Sequence, residues 1–160
     1  MNLPTVDRRP THRNGRRGRL LIEIGGWLSA LNGLAHFALP LYFPWEEHVR
    51  DLYEPVRWAL YATTVFFGVV LLLAGLLVVA VARSRELPPR FAHGIVLGMA
   101  GFWVVGAVYE IVVPFPDPYA AWALPVFSLV VALLLVAGVL RRRHADPSAA
   151  GASVHPGPDG

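Results

Sequence analysis

The sequence predicts an all-α membrane protein, built as an antiparallel four-transmembrane-helix bundle. Of its 160 residues, 55% are hydrophobic and only 16% are charged, a composition typical of integral membrane proteins. Four apolar stretches also reach the length of about 20 residues that a helix needs to cross the hydrocarbon core of a bilayer. These stretches lie at residues 20–41, 57–82, 91–113 and 119–140.

The apolar stretches are predicted to be helices because lipid offers no hydrogen-bond partners to an open backbone. The run "VVLLLAGLLVVAVA" in the second stretch lacks the alternation that a barrel strand needs. Short connections favour antiparallel packing of successive helices. The Arg-rich arm at residues 1–18 and the tail at residues 141–160 have no apolar periodicity, so we expect both to be disordered.

The distribution of arginine predicts the topology. All fourteen basic residues are Arg and none is Lys, a bias that suggests a GC-rich bacterial genome. Twelve of the arginines flank one side of the four predicted spans, and only Arg50 and Arg57 fall on the other side. By the positive-inside rule, both termini are cytoplasmic and the chain is a multi-pass protein of the bacterial inner membrane.

The first apolar stretch has an alternative interpretation as a cleavable secretory signal, because arginines precede it. Glu23, Asn32 and His36 fit the apolar core of a signal peptide poorly, and no clear A-x-A cleavage site follows. The stretch is also long enough to span a bilayer. We therefore expect it to be retained as the first transmembrane helix.

Several classes of function are excluded or disfavoured by the sequence. The absence of Cys excludes disulfides, thiolate catalysis and haem attachment through a CxxCH motif. No GxGxxG, Walker, GxSxG or HExxH motif is present. The sequence therefore shows no recognisable residues for nucleotide binding or for the common hydrolytic mechanisms. The arginines flank apolar spans instead of forming a folded basic face, so no nucleic-acid partner is expected. We predict neither a metal ion nor a cofactor.

Polar residues inside the first and third spans mark a candidate ligand site. Asn32 and His36 lie four residues apart in the stretch "LNGLAHFALPLYFPW", on one helix face. Counted from the predicted helix ends, His36 and Glu110 each lie roughly 5 to 8 Å inside the outer boundary of the bilayer. A carboxylate at that depth is costly unless it is paired, and an imidazole can supply the counter-charge. We therefore predict an outer-leaflet pocket around these two residues. The candidate ligand-binding residues are His36, Glu110, Asn32, Tyr61, Thr64 and Tyr109.

The same polar residues allow a second interpretation, in which His36 and Glu110 only hold the helices together.

Two other features are predicted to be structural. Gly94 and Gly98 form a GxxxG motif, which we interpret as helix packing. Glu23 is expected to form an ion pair with Arg19, its neighbour one helical turn earlier.

The four spans, the cytoplasmic ends and the small-residue helix faces over residues 20–140 resemble the small bacterial membrane proteins grouped as DoxX-like. This resemblance is one of architecture, so it implies a fold and no site residues. The favoured function is a non-enzymatic module that binds lipid or a small hydrophobic molecule, or an accessory subunit of a membrane assembly. The alternatives are a membrane enzyme that uses His36 and Glu110 as acid and base, and a small transporter acting as a homo-oligomer. The expected partners are the lipid bilayer, a hydrophobic ligand, a membrane protein or a second copy of the chain.

Overall fold

The computed structural model describes residues 9–42 and 49–145, which form four long helices and, within those ranges, no strand. The all-α prediction is confirmed. Each of the last three helices has proline in its first turn, where the missing N–H is not needed. The helices are α1 (Arg9–Tyr42), α2 (Glu54–Arg83), α3 (Pro89–Val112) and α4 (Pro118–Ala145).

The helices α2, α3 and α4 are each long and apolar enough to cross a membrane. Large apolar side chains project outward along all three, among them Phe66, Val105 and Leu133, and such a surface is suited to lipid rather than water. Helix α1 is not among the helices that meet this standard within the described residues, because Asn32 and His36 interrupt its apolar stretch. A helical protein with membrane-spanning character is thus confirmed.

The ends of α1 and α4 differ from the prediction. Helix α1 begins at Arg9, so the second half of the arm predicted to be disordered is helical, and α4 continues past residue 140 to Ala145. Arginine is a good helix former, and the two extensions also pack on each other. A Cβ added to Gly15 would lie 3.6 Å from the Cβ of Ala145. Residues 1–8 of the arm and 146–160 of the tail lie outside the described residues.

Helix α1 is the centre of the bundle, because it packs along both α2 and α4. Glycines bring the backbones of α1 and α2 into direct contact. A Cβ added to Gly33 would collide with the backbone of Leu72, and one added to Gly75 would collide with the backbone of Ala30. Residue numbers therefore rise along α1 as they fall along α2. Such close approach through small residues is the usual way that helices associate in lipid.

The bundle has one weakly closed side. Helix α4 packs against both α1 and α3, whereas α2 and α3 barely touch each other. The four helices therefore form a ring in the order α2, α1, α4, α3, with a seam between α3 and α2 that few contacts close.

The packing role predicted for the GxxxG motif is wrong within the chain. No heavy atom of the described residues lies within 4 Å of a Cβ added to Gly94, Gly98 or Gly101. The buried face of α3 is formed by larger residues such as Val96 and Trp103, and the glycines lie on the opposite face of the helix.

Candidate functional site

A buried hydrogen bond joins the middle of α1 to the middle of α3. Ser29 is 0% exposed, and Trp103 is 4% exposed. The indole Nε1 of Trp103 donates to Ser29 Oγ at 2.8 Å, and the same hydroxyl donates to the carbonyl oxygen of Gly25, also at 2.8 Å. Both buried polar groups are therefore satisfied, and the plane of the indole ring is fixed.

Beyond Trp103, at the end of the bundle where α2 and α4 begin, the helices enclose a cavity of about 430 Å³. We call it the outer cavity, since it lies on the side predicted to face outward. Its volume falls in the range of about 300 to 1,000 Å³ that is common for small-molecule sites. All four helices contribute to its wall. The polar residues that line it are Asn32, His36, Glu110 and Ser128, and the aromatic ones are Phe67, Phe102, Trp103, Phe115 and Phe127.

Most of the aromatic residues form a continuous series of rings across the helices. The ring centroids of His36 and Phe67 are 5.0 Å apart, and those of Phe67 and Phe102 are 5.9 Å apart. Trp103 continues the series at 5.8 Å from Phe102 and 5.4 Å from Phe127, in edge-to-face geometry that favours attraction between rings. The pair of Phe67 and Phe102 crosses the seam between α2 and α3. These two rings are 40% and 37% exposed, so they are in contact with both the cavity and the outside of the bundle.

His36 is held by its own helix. Its Nδ1 lies 2.8 Å from the backbone carbonyl oxygen of Asn32. A carbonyl oxygen only accepts hydrogen bonds, so Nδ1 carries the hydrogen, and in the neutral imidazole Nε2 is left as an acceptor. No described residue forms a hydrogen bond with Nε2. The ring therefore brings an acceptor atom to the wall of the outer cavity.

Glu110 is held by α4. The hydroxyl of Ser128 donates to its Oε2 at 2.9 Å, and no described residue donates to Oε1. Within the described part of the chain, Glu110 and His36 form neither a hydrogen bond nor an ion pair with each other. The direct pair suggested by their depth is thus not formed, because each side chain already has a partner. They nevertheless line the same cavity.

Of the other residues predicted from the sequence to form the site, only Asn32 lines the outer cavity among the described residues. Tyr61 lines a separate cavity of about 370 Å³ together with Arg50 and Arg57. Thr64 donates its hydroxyl to the carbonyl oxygen of Leu60. Tyr109 is 64% exposed and points away from the bundle.

The aromatic wall was not predicted from the sequence. Ser128 was expected as a polar group of the fourth helix at the depth of the cavity, but it was not among the candidate ligand-binding residues. Ser128 had a usable signal, because it is the only serine of the fourth span and a hydroxyl there needs a partner. Trp103 also lies in mid-span, away from the membrane boundaries where tryptophan is usually found. Phe67 and Phe102 gave no such signal, since phenylalanine is ordinary in any apolar helix.

The chemistry of the outer cavity is that of an apolar enclosure with a few hydrogen-bond acceptors. The ion pairs among the described residues lie elsewhere: Glu23 pairs with Arg19 at 2.7 Å, as predicted, and with Arg83 at 3.3 Å. In the ranges that the structure describes, no three His, Asp or Glu side chains are grouped so that they could hold a metal ion.

No protein-family model, no curated protein and no solved structure matches this chain. The resemblance to DoxX-like proteins therefore stays a prediction from the sequence.

Proposed function

We propose that this chain is a polytopic protein of the bacterial inner membrane, with antiparallel helices and cytoplasmic termini, that binds a small apolar ligand in the outer cavity. The opposite order of contacts along α1 and α2 supports the antiparallel arrangement. Three apolar helices and the concentration of arginine at one end support the membrane topology.

The observation that carries the ligand proposal is the outer cavity itself, with its volume of about 430 Å³ and its nearly continuous aromatic wall. Interiors of helical proteins are close-packed, and empty apolar volume is destabilising because its walls lose contacts. A cavity of this size is therefore expected to contain an apolar molecule in the membrane.

The polar atoms define which apolar molecules fit best. His36 Nε2 and Glu110 Oε1 are acceptors without a donor among the described residues. A ligand with a hydroxyl or an amine would satisfy them, whereas one with only carbonyl or ether oxygens would not. The favoured ligand is thus a hydrophobic alcohol or amine.

The seam between α2 and α3 offers a path from lipid to the cavity. Elsewhere in the ring, neighbouring helices pack along their length, but here Phe67 and Phe102 provide the closing contact. Aromatic side chains can change rotamer without rearrangement of the backbone. A ligand would therefore enter sideways from the bilayer.

The proposal is tested by filling the cavity. Gly106 lines the outer cavity, and Gly101 on the same helix faces open space. Gly106→Leu should abolish retention of a bound small molecule in native mass spectrometry, while Gly101→Leu makes the same chemical change and should leave retention intact. Wild type should also bind dodecan-1-ol more tightly than dodecyl methyl ether, by about fivefold or more for one buried hydrogen bond.

Two results would contradict the proposal. Equal retention in both leucine variants would mean that the cavity is not the site. Purification of wild type with a fixed protein partner and no small molecule would instead favour an accessory subunit.

A membrane enzyme is the second candidate, because two titratable side chains, His36 and Glu110, face one cavity without neutralising each other. An imidazole and a carboxyl group so placed can act as base and acid on a ligand held between them. Turnover of a bound alcohol or amine that is lost in both His36→Phe and Glu110→Gln, with binding retained, would favour this function over simple binding.

A further inference from the structure

The opposite end of the bundle contains a second and larger cavity, of about 820 Å³. We call it the inner cavity. It lies between the early turns of α1, the connection from α2 to α3 and the last turns of α4. Its charged lining residues are Arg16, Arg19, Glu23, Arg85 and Arg142.

The positive charge of the inner cavity is not neutralised within the described part of the chain. Glu23 is the only acidic residue among the described lining residues, and its two carboxylate oxygens already accept from Arg19 and Arg83. The guanidinium groups of Arg16, Arg85 and Arg142 form no ion pair with any described residue. Three cations from three different segments therefore border one volume.

The inner cavity also has an apolar side. Leu20, Leu87 and Ala92 line it together with the arginines, and the first two of these are 48% and 41% exposed. All three lie near the predicted inner ends of the spans. The cavity thus combines a cationic lining with an apolar lining at the end of the bundle that is predicted to face inward.

We infer that the inner cavity binds an anionic phospholipid, whose phosphate contacts Arg16, Arg85 and Arg142 and whose first chain carbons lie against Leu20, Leu87 and Ala92. Three cations without an ion-pair partner among the described residues favour a headgroup that carries no positive charge of its own. Guanidinium groups bind phosphate oxygens through paired, charge-assisted hydrogen bonds. Basic pockets between helices on the cytoplasmic side of membrane proteins are suited to anionic headgroups. This site lies outside the outer cavity and requires no ligand there.

A matched pair of double variants tests the site. Arg16 and Arg142 line the inner cavity, whereas their chain neighbours Arg17 and Arg141 do not. The variants R16Q/R142Q and R17Q/R141Q remove the same number of charges from the same two helix ends. The full-length protein in a neutral detergent is titrated with phosphatidylglycerol, with phosphatidylcholine and with inorganic pyrophosphate, and bound lipid is counted by native mass spectrometry.

We expect wild type to prefer phosphatidylglycerol over phosphatidylcholine. R16Q/R142Q should bind phosphatidylglycerol about 30-fold more weakly, since each arginine near a membrane surface contributes about 1 kcal/mol. R17Q/R141Q should stay within about threefold of wild type. Competition by pyrophosphate at higher concentrations would also support phosphate recognition.

Three outcomes would overturn the inference. Equal losses of phosphatidylglycerol affinity in the two double variants would show that general attraction by surface charge, and not the cavity, accounts for binding. Binding of pyrophosphate as tight as that of phosphatidylglycerol would assign the site to a soluble phosphate and not to a lipid. Equal binding of the two lipids would remove the site altogether.

A single-variant pair covers the case in which R16Q/R142Q does not fold. Arg85 lies in the connection between α2 and α3 and borders the cavity, whereas Arg90 lies nearby without lining it. Arg85→Gln should weaken phosphatidylglycerol binding about fivefold, and Arg90→Gln should not. Equal behaviour of these two variants would likewise overturn the inference.

Discussion

The hydrogen bond between Trp103 and Ser29 gives the sharpest prediction for stability, because both residues are buried and the bond joins two helices. In Ser29→Ala the indole N–H loses its acceptor at a position where both side chains are almost fully buried. The donation from Ser29 to the carbonyl oxygen of Gly25 is also lost. That loss should matter less, because a helix carbonyl at this position also accepts the regular backbone hydrogen bond.

The expected size of the effect lies where two known ranges overlap. Hydrogen bonds between transmembrane helices contribute on average about 0.6 kcal/mol and at most about 1.7 kcal/mol, whereas an unsatisfied buried donor costs about 1 to 3 kcal/mol. Because Trp103 is 4% exposed and Ser29 is 0% exposed, we expect a coupling free energy of about 1 to 1.5 kcal/mol between the two side chains, where those ranges overlap.

A double-mutant cycle measures this coupling. The free energy of unfolding in mixed micelles is determined for wild type, Ser29→Ala, Trp103→Phe and the double variant. The gain in helix propensity from serine to alanine appears in both arms and cancels. Thr64→Ala is the matched control, since Thr64 also bonds a carbonyl oxygen four residues earlier but does so at an exposed position. A coupling free energy below about 0.3 kcal/mol, within the error of additivity, would refute the reasoning.

Three further predictions follow from packing, charge and access. Gly75→Ala should greatly lower the free energy of unfolding in the same assay, because the added Cβ collides with α1. Gly98→Ala should be neutral or stabilising by up to about 1 kcal/mol, since that face of α3 is open. Equal effects of the two variants would contradict the described packing. Glu23→Gln should cost less than about 1 kcal/mol, and the difference should shrink in high salt, because the side chains of both arginine partners are about half exposed. A large, salt-independent loss would count against this view. Phe102→Ala should accelerate exchange of a bound ligand measured by stopped-flow fluorescence, because it opens the seam between α2 and α3; an unchanged rate would exclude entry between those helices.

The helices were predictable because apolar length is a local property of the sequence. Each predicted span lies inside a described helix or within a residue of its ends. The start of α1 at Arg9 was missed because its support comes from residues distant in sequence, through contacts such as that between Gly15 and Ala145. No local pattern reveals such a contact.

The candidate site was predictable in depth but not in rotation about the helix axes. Position along a helix correctly brought His36 and Glu110 to the same end of the bundle. Their partners depend on how each helix is turned, and Ser128 and the carbonyl oxygen of Asn32 satisfy them separately. The same limitation explains the GxxxG motif, since spacing alone does not say whether Gly94 and Gly98 face the core or lipid.

The central position of α1 bears on how the protein is made. It precedes α2 in the chain and is the least apolar of the four helices, with Asn32 and His36 in its stretch, so on its own it is a marginal substrate for insertion. Its glycine contacts with α2 involve the next helix to be synthesised. We expect the two to enter the membrane together as a helical hairpin, and a chain truncated before α2 to be released from the bilayer instead of anchored in it.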